Sequence, residues 1–551
     1  MRARTLTAGL VVFAVLMIWL YSIGLRFPYM NQIPVWDADV CTAAAHMWTR
    51  MWWDEGALKM WFSTPYAPRS IEAPARTLYQ SWPPGAFVPI YLAAKFLGMQ
   101  PSIPLVNWVN TVEHGLIALA AAFIAFNLAL MNRLGNVGSA LVAIAVMFPI
   151  LLSRGPLYVF SQIYDVTNAV LIYTTTFIML EVMFYGSKSG REKRIIEGLQ
   201  LITIYLAFLV DWLSYTLFAF WLISRIAAGY AGIEERMTLR RLMWLALIPI
   251  SAFSLYLVWR FLSPDSPTGS TGILASLDQL VFKVMERMNL TQTEHRSGFF
   301  QAFIEMHRDW FSESTFFVIV ISALLTLALI VVSYVRARNP FERRSLFAMG
   351  SILMLITVPF YLHMIILSQH TYIHRWAMMK AMFAYALVPF ALLPISLFTL
   401  LRLSSPKMAS WRFGLASASL VLASCAAFYA VKVTNAESYL MGRIDRDTYL
   451  MWDDIGRNTR YADVVVSPVL EANPISQQLG ASYKLVHLGK DFSDVDKIVE
   501  RVCGDFNVVL ALPRGTEPGE FASREPAEVI DTGRMRLLRF TSYQGKAIGC
   551  S

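Results

Sequence analysis

The stretch WVNTVEHGLIALAAAFIAFNLAL, residues 108–130, decides the fold class. A run of about 20 predominantly apolar residues is long enough for one α-helix to cross the hydrocarbon core of a bilayer. Runs of this kind recur along the chain in both directions from this one. The predicted spans are 7–25, 108–130, 136–153, 163–185, 196–211, 212–231, 241–262, 314–335, 345–367, 378–401 and 412–432.

The composition leads to the same class. Hydrophobic residues make up 56% of the 551 residues, charged residues make up 15%, and the mean hydropathy is +0.48. Soluble proteins carry about 25% charged residues, so this chain cannot cover itself with polar surface in water. A soluble enzyme and a disordered chain are excluded, and four cysteines are too few for a disulfide scaffold. We predict an all-α polytopic membrane bundle of about 11 transmembrane helices.

The basic residues indicate the orientation of the bundle. With the N-terminus inside, the inner connections hold 17 Lys and Arg, whereas the short outer connections hold only Arg154 and Arg375. This is the positive-inside distribution, and it explains the net charge of +9 without a nucleic-acid partner. The apolar stretch 84–98 would invert every later connection if it crossed. We therefore predict a short juxtamembrane or re-entrant helix there.

Three long segments are expected on the outer side: the first outer loop 26–107, an outer loop 263–313, and the tail. The transmembrane domain is predicted to cover 1–432, and a soluble C-terminal domain to cover 433–551. Short β-type stretches in the tail, at 462–468, 483–489, 507–513, 527–533 and 534–542, flank a helix-like segment at 494–503. This pattern predicts a small α/β domain. Cys503 and Cys550 are either bridged or two buried thiols.

Two carboxylates, Asp37 and Asp39, follow the first span within the first outer loop. The next segment, 38–53, is amphipathic and rich in Trp and Met, which is typical of a helix lying in the membrane interface. A carboxylate at that position can remove a proton from an acceptor hydroxyl while a lipid-linked substrate lies in the membrane. The alternative is that Asp37 or Asp39 caps the interfacial helix.

Further candidate residues are polar groups next to apolar segments. Arg69, Arg76 and Gln80 precede Pro83–Pro84, and the two arginines suit phosphate recognition, although either one could be an ordinary surface cation. Asp165 and Asp211 lie at the outer ends of predicted spans. Ionisable residues at membrane depth are costly and often functional, but at a span end the cost is small.

The connection SQHTYIHRWAMMK, residues 368–380, concentrates polar side chains in a short outer loop. Its candidate substrate-binding residues are His370, Tyr372, His374, Arg375 and Lys380. The two histidines are four residues apart, as zinc ligands on a helix are, but no further ligand set accompanies them. We predict a phosphate-binding site here, with anchoring at the membrane interface as the alternative, and no metal or other cofactor.

This layout resembles the C-type membrane glycosyltransferases, in particular the protein O-mannosyltransferase and aminoarabinose transferase group. The shared features are an early Asp in a large first outer loop, an interfacial helix, the Pro83–Pro84 element, a short second helix and many further spans. The family commonly has Asp-Glu where this chain has Asp37-Ala38-Asp39. The family's His or Lys beside the Pro-Pro element is replaced by Ser81 and Trp82.

The resemblance implies an inverting transfer of a hexosyl or pentosyl group from a polyprenyl-phosphate donor to a glycan, glycolipid or protein acceptor. It implies Asp37 as general base, with Asp39 as the alternate. Work on the outer face and short inner loops fit a multi-pass protein of a bacterial inner membrane with an outer, periplasmic C-terminal domain, and an archaeal or eukaryotic membrane stays open. A divalent metal, which oligosaccharyl transferases use, is not predicted. Two other functions stay open: a transporter or flippase of lipid-linked sugars, and a surface-polysaccharide ligase or polymerase.

Overall fold

The computed structural model describes residues 2–30, 33–34, 39–65, 78–79, 81–263, 268–290, 299–311, 314–404, 443–444, 451, 454–459, 463–466, 486–487, 503–518 and 524–546. The helices of these residues are α1 Arg2–Arg26, α2 Asp39–Glu55, α3 Val88–Leu97, α4 Ile103–Met131, α5 Gly135–Leu152, α6 Arg154–Gln162, α7 Val166–Gly186, α8 Gly190–Phe208, α9 Leu213–Tyr230, α10 Leu239–Leu262, α11 Thr268–Arg287, α12 Phe299–Trp310, α13 Thr315–Arg336, α14 Pro340–Ile366, α15 Ser368–Ile373, α16 Met382–Leu387 and α17 Leu393–Ser404. The strands are β1 Ile33–Pro34, β2 Arg443–Ile444, β3 Asp463–Val466, β4 Val486–His487, β5 Cys503–Pro513, β6 Glu528–Asp531 and β7 Met535–Lys546.

The chain is a multi-pass membrane protein. Within the described ranges, eight helical segments are long and apolar enough to cross a bilayer. They are Thr5–Arg26, Ile103–Met131, Gly135–Leu152, Val166–Gly186, Leu239–Leu262, Thr315–Arg336, Pro340–Ile366 and Arg375–Ser404. Each coincides with a predicted span. The polytopic helical class is therefore confirmed.

The predicted fifth and sixth spans are present as α8 and α9, which are not among these eight segments. The first turns of α8 carry charged residues such as Glu192, and Arg225 lies within α9. The two helices pack on each other, and α8 also packs on α7. The predicted eleventh span, 412–432, lies outside the described residues.

The last of the eight segments is not one regular helix. It begins as a 3-10 helix at Arg375–Ala381, continues as α16, widens into a π-helix at Val388–Leu392 and ends as α17. Pro389 has no backbone N–H to donate, so regular α-helical bonding is interrupted there. Interruptions of this kind are frequent at functional sites.

The described residues belong to two compact units. Unit 1 comprises 1–30, 107–257 and 278–441, and contains most of the spans. Unit 2 comprises 31–106, 258–277 and 442–551, so it combines the first long loop with the tail.

The tail contributes a five-stranded mixed sheet with the strand order β4-β3-β5-β7-β6. β3 pairs in parallel with β4 and β5, whereas β7 runs antiparallel to both β5 and β6. Each strand of this sheet overlaps a predicted β-type stretch, but β5 begins earlier than predicted, at Cys503, the last residue of the predicted helical segment. Most of the predicted helical segment 494–503 and Cys550 lie outside the described residues, and Cys503 is described only as backbone.

Helix α2 packs against this sheet within unit 2. Ala43 of α2 and Ile103 join one hydrophobic cluster with Val465, Val509 and Leu537 of the sheet. The backbone of β1 also pairs with β2, the strand that precedes the sheet. The first loop and the tail therefore share one core.

Met47, Trp48, Met51 and Trp52 of α2 are buried inside unit 2. The indole N–H of Trp48 donates to Pro65 O at 2.7 Å, and that of Trp52 donates to Ser63 O at 2.7 Å. The short helix predicted at 84–98 is present as a 3-10 turn at Pro84–Phe87 followed by α3. α3 exposes Phe96 by 90%, as expected for a helix that contacts lipid.

Candidate active site

The fold gathers the candidate polar residues of unit 1 at one end, which we call the polar end. It is formed by residues 154–165, 211–213, 299–311 and 363–380. α6 and α12 approach closely there: a Cβ at Gly155 would lie 2.3 Å from the carbonyl oxygen of Trp310. Only glycine permits this contact, and it brings Arg154 close to Asp309.

A buried trio of charged and polar side chains forms the centre of the polar end. Lys380 Nζ donates to Asp211 Oδ2 at 3.1 Å and lies 3.2 Å from His363 Nδ1. His363 Nε2 lies 3.3 Å from Asp211 Oδ1. Asp211 also accepts a hydrogen bond from the Leu213 N–H at 2.6 Å, which caps α9. Lys380 and Asp211 are both fully buried, so each charge depends on the other.

Asp165 joins two elements of the polar end. Its Oδ1 accepts from the Thr167 N–H at the start of α7, and its Oδ2 accepts from the Trp376 indole N–H at 2.6 Å. Trp376 belongs to the 3-10 helix that also carries Lys380. Asp165 therefore positions this helix against α7.

The two histidines of the connection 368–380 lie side by side, with His370 buried and His374 half-buried. The rings of His370 and His374 are 4.5 Å apart, and His374 packs on Trp376. Burial, together with the neighbouring His374 and Lys380, holds the pKa of His370 well below its usual value. Burial and the nearby Arg287 lower the pKa of His374 to about 3. Both imidazoles are therefore neutral near pH 7 and can bind a polar ligand only by hydrogen bonds.

Arg375 is the exposed cation of the connection 368–380. Its guanidinium lies 3.6 Å from Asp309 Oδ2, and about half of its side chain is exposed. Arg154 is half-buried, and burial lowers its pKa to about 10 although Asp309 raises it. Tyr372 is also half-buried. Arg375, Arg154 and Arg308 are therefore the described cations at this end that remain accessible to an anion, whereas Lys380 is neutralised by Asp211.

An apolar groove of about 1200 Å³ runs along α9, α13 and α14. Its lining on α14 extends from Leu346 to Val358, about 18 Å at 1.5 Å per residue. Just beyond the groove, α9 and α14 stay in contact, since Thr216 of α9 donates to the carbonyl oxygen of Pro359, the residue after the last lining residue Val358. His363 follows Val358 by about 7.5 Å along the same helix.

Several candidate residues cannot be placed. Asp37, Arg69, Arg76 and Gln80 lie outside the described residues, and Asp39 is described only as the backbone that begins α2. Among the side chains that the structure does describe, no group of three or more His, Cys, Asp or Glu residues could hold a metal ion.

Some residues in and beside the polar end carry no clear signal in the sequence. His363 lies inside an apolar span, and Asp309 and the neighbouring Arg287 lie in a long predicted loop with many other charges. A polar residue within an otherwise apolar run is the one signal that marks His363.

Comparisons with known proteins identify the fold. No protein family profile and no curated protein sequence matches the chain. The structure is similar to the Archaeoglobus fulgidus oligosaccharyltransferase in complex with Zn and sulfate, at a TM-score of 0.51 and 12% identity, covering 90% of this chain and 67% of that one. The same enzyme tethered to an acceptor peptide with the NVT sequon gives a TM-score of 0.51 and 12% identity, covering 91% and 69%.

A further similar structure is ArnT from Cupriavidus metallidurans bound to undecaprenyl phosphate. It gives a TM-score of 0.43 and 12% identity, covering 98% of this chain and 99% of that one. The C-type glycosyltransferase fold predicted from the sequence is confirmed by the match to the oligosaccharyltransferase.

Proposed function

We propose that this protein is a membrane glycosyltransferase that moves a sugar from a polyprenyl-phosphate donor to an acceptor on the outer face. The observation that carries the proposal is the apolar groove on α9, α13 and α14, whose lining on α14 ends at Val358, about 7.5 Å along the helix from His363 of the polar end. A long isoprenoid tail fits such a groove, since its walls are aliphatic and aromatic side chains at membrane depth. Its phosphate would then lie among the side chains of the polar end. The shared fold with an oligosaccharyltransferase supports glycosyl transfer as the reaction class.

The reaction needs a base and a stabilised leaving group. The acceptor hydroxyl gives its proton to a carboxylate, which we assign to Asp37, and its oxygen forms a bond to the anomeric carbon. The bond between that carbon and the phosphate oxygen breaks, and the polyprenyl phosphate leaves with the electron pair. Attack opposite the leaving group inverts the anomeric centre. Three details are parts of the proposal: inversion at the anomeric carbon, a hexosyl or pentosyl group as the sugar, and Asp37 as the base.

The developing negative charge on the phosphate requires cations or hydrogen-bond donors placed in advance. Arg375 and Arg154 are suited to this role because their guanidinium groups remain accessible. The neutral His370 and His374 can add hydrogen bonds. Lys380 contributes by holding Asp211 and His363, since its charge is already paired.

The test is transfer from a radiolabelled pool of polyprenyl-phosphate sugars in membranes that contain the full-length protein. We expect Asp37→Asn to lower the transfer rate by about 10²–10⁴-fold, the usual contribution of a general base. Asp54→Asn is the matched control, because Asp54 lies in the same loop and pairs with Arg50 at 3.1 Å.

Three results would contradict the proposal in different ways. Normal transfer by Asp37→Asn with loss in Asp39→Asn moves the base to Asp39. Normal transfer by both variants removes the base assignment. Absence of transfer by the accumulated wild-type protein from every sugar pool contradicts the glycosyltransferase itself and favours a transporter of lipid-linked sugars.

A further inference from the structure

A second cavity lies at the opposite end of unit 1, about 27 Å along α7 from the polar end. Its volume is about 560 Å³, and it is lined by the last turn of α7, the start of α8, the connection 233–237 and the start of α10. We call this region the basic end. Five lining residues are cations and three are carboxylates, so the cavity has a surplus of positive charge.

Two of the three carboxylates of the basic end are already paired, and the third, Glu235, is exposed. Glu234 accepts from Lys193 Nζ at 2.8 Å and also lies 3.2 Å from Arg344. Glu197 pairs with Arg241. The cations that remain are Lys188 and Arg194, both exposed and without an ion pair in the part of the chain that the structure describes. Two unpaired cations beside a cavity form a site for an anion.

The apolar groove described above also reaches the basic end. Tyr230 and Ala231 line the groove, and Ile233 and Glu234, two and three residues further, line the cavity. A second connection is made by Arg344, which donates to the carbonyl oxygens of Phe184 and Ser187 and pairs with Glu234. Leu346 and Phe347, just after Arg344, line the groove. The cavity and the groove therefore adjoin.

An amphipathic anion fits this combination. We propose that the basic end binds an anionic phospholipid, with its phosphate on Lys188 and Arg194 and an acyl chain entering the groove at Tyr230. A soluble anion would use the cavity alone, whereas the adjoining apolar walls provide a place for a hydrocarbon chain. Basic pockets between transmembrane helices bind anionic headgroups in this way. The headgroup site does not depend on the glycosyltransferase proposal, because it lies at the end of α7 remote from the polar end. The acyl chain would share the groove with the isoprenoid tail proposed above, entering it from the opposite end.

Binding can be measured without any activity assay. The full-length protein is reconstituted into phosphatidylcholine nanodiscs with and without phosphatidylglycerol, and retained phosphatidylglycerol is counted by native mass spectrometry after extraction. Each cation near the membrane surface contributes about 1 kcal/mol to binding of an anionic lipid. The double variant K188Q/R194Q should therefore retain phosphatidylglycerol about 30-fold more weakly. The matched control is R338Q/R343Q, which removes two exposed cations from a different connection.

The role of the groove is tested by Ala227→Phe, which places a ring at an exposed groove position near Tyr230. We expect this variant to retain less phosphatidylglycerol than the wild type. Equal retention by Ala227→Phe, or full competition by soluble glycerol 3-phosphate, would show a free-anion site and overturn the proposal. An equal loss in R338Q/R343Q would also overturn it, because the effect would then be one of general surface charge.

Discussion

At the scale of single residues, the Lys380–Asp211 pair determines how the polar end is held together. Lys380→Met leaves the Asp211 carboxylate buried beside His363 without its cation. Removing one partner of a buried pair costs about 3–5 kcal/mol, so we expect a large fall in the unfolding temperature in detergent. Asp211→Asn combined with Lys380→Met should recover part of the loss, since no uncompensated charge remains. A double variant less stable than Lys380→Met would contradict this account.

The buried His307 provides a second residue-scale prediction, which concerns pH. Burial lowers its pKa to about 4, although the hydrogen bond with Phe303 O opposes the shift. The unfolded chain, with a pKa near 6.5, binds the proton more readily. The neutral ring therefore stabilises the fold fully above pH 6.5, and this contribution of about 3 kcal/mol is lost as the pH falls toward 4.

The measurement for His307 is the unfolding temperature of the wild type and of His307→Gln between pH 7.5 and 4.5. Glutamine keeps a polar group near Tyr361 but does not titrate. We expect the stability difference between the two proteins to shrink or reverse as the pH falls. Parallel curves would show that His307 does not contribute to the acid sensitivity.

Sequence reasoning found the members of the polar end more readily than their partners. Asp165, Asp211, His370 and Lys380 could be selected because polar side chains are rare next to apolar spans. Their pairing could not be predicted, because Lys380 and Asp211 are 169 residues apart and meet only through the packing of the bundle. The sequence therefore predicts Lys380 as a free cation for phosphate, whereas in the fold its charge is paired with Asp211.

At the scale of elements, the packing of α2 on the tail sheet makes a separable prediction. Leu537 belongs to the cluster that includes Ala43 of α2, whereas Leu512 of the same sheet belongs to the cluster on the other face. Both leucines are fully buried, so either Leu→Ala change should cost about 2–5 kcal/mol. Only Leu537→Ala should speed hydrogen exchange in α2, as followed by mass spectrometry of its peptides. Equal exchange in both variants would show that the sheet does not hold α2.

The elements that sequence reasoning identifies are those whose signal is local. Each of the eight apolar segments is marked by a long run of apolar residues, and each of the five strands of the tail sheet overlaps a short β-type stretch. Both signals lie within the element itself, so these elements can be predicted. The pairing of β1 with β2 was not, because it joins two-residue strands from distant segments. The same limit applies to α2, whose amphipathic pattern does not reveal that its partner is the tail.

At the scale of the whole molecule, the pairing of β1 with β2 constrains the topology. Residues 33–34 and 443–444 share one small sheet, so both lie on the same side of the membrane. The chain must then cross an even number of times between them. The described residues between these strands provide seven apolar spans, together with the hairpin of α8 and α9. The span predicted from the sequence at 412–432 makes the number even.

This count predicts which connections an impermeant thiol reagent reaches in intact cells. Single cysteines would be introduced at Ser189, Gly232 and Arg338 for one side, and at Asp309 and Gly533 for the other, after replacement of the four native cysteines. With the N-terminus inside, Asp309→Cys and Gly533→Cys should react in intact cells, and the first three only after permeabilisation. Since the hairpin contributes two crossings, the side of Gly533 depends on the single crossing at 412–432. Labelling of Asp309→Cys but not Gly533→Cys in intact cells would place the tail opposite the connection that contains Asp309, and would contradict both the eleventh span and a shared core of tail and first loop.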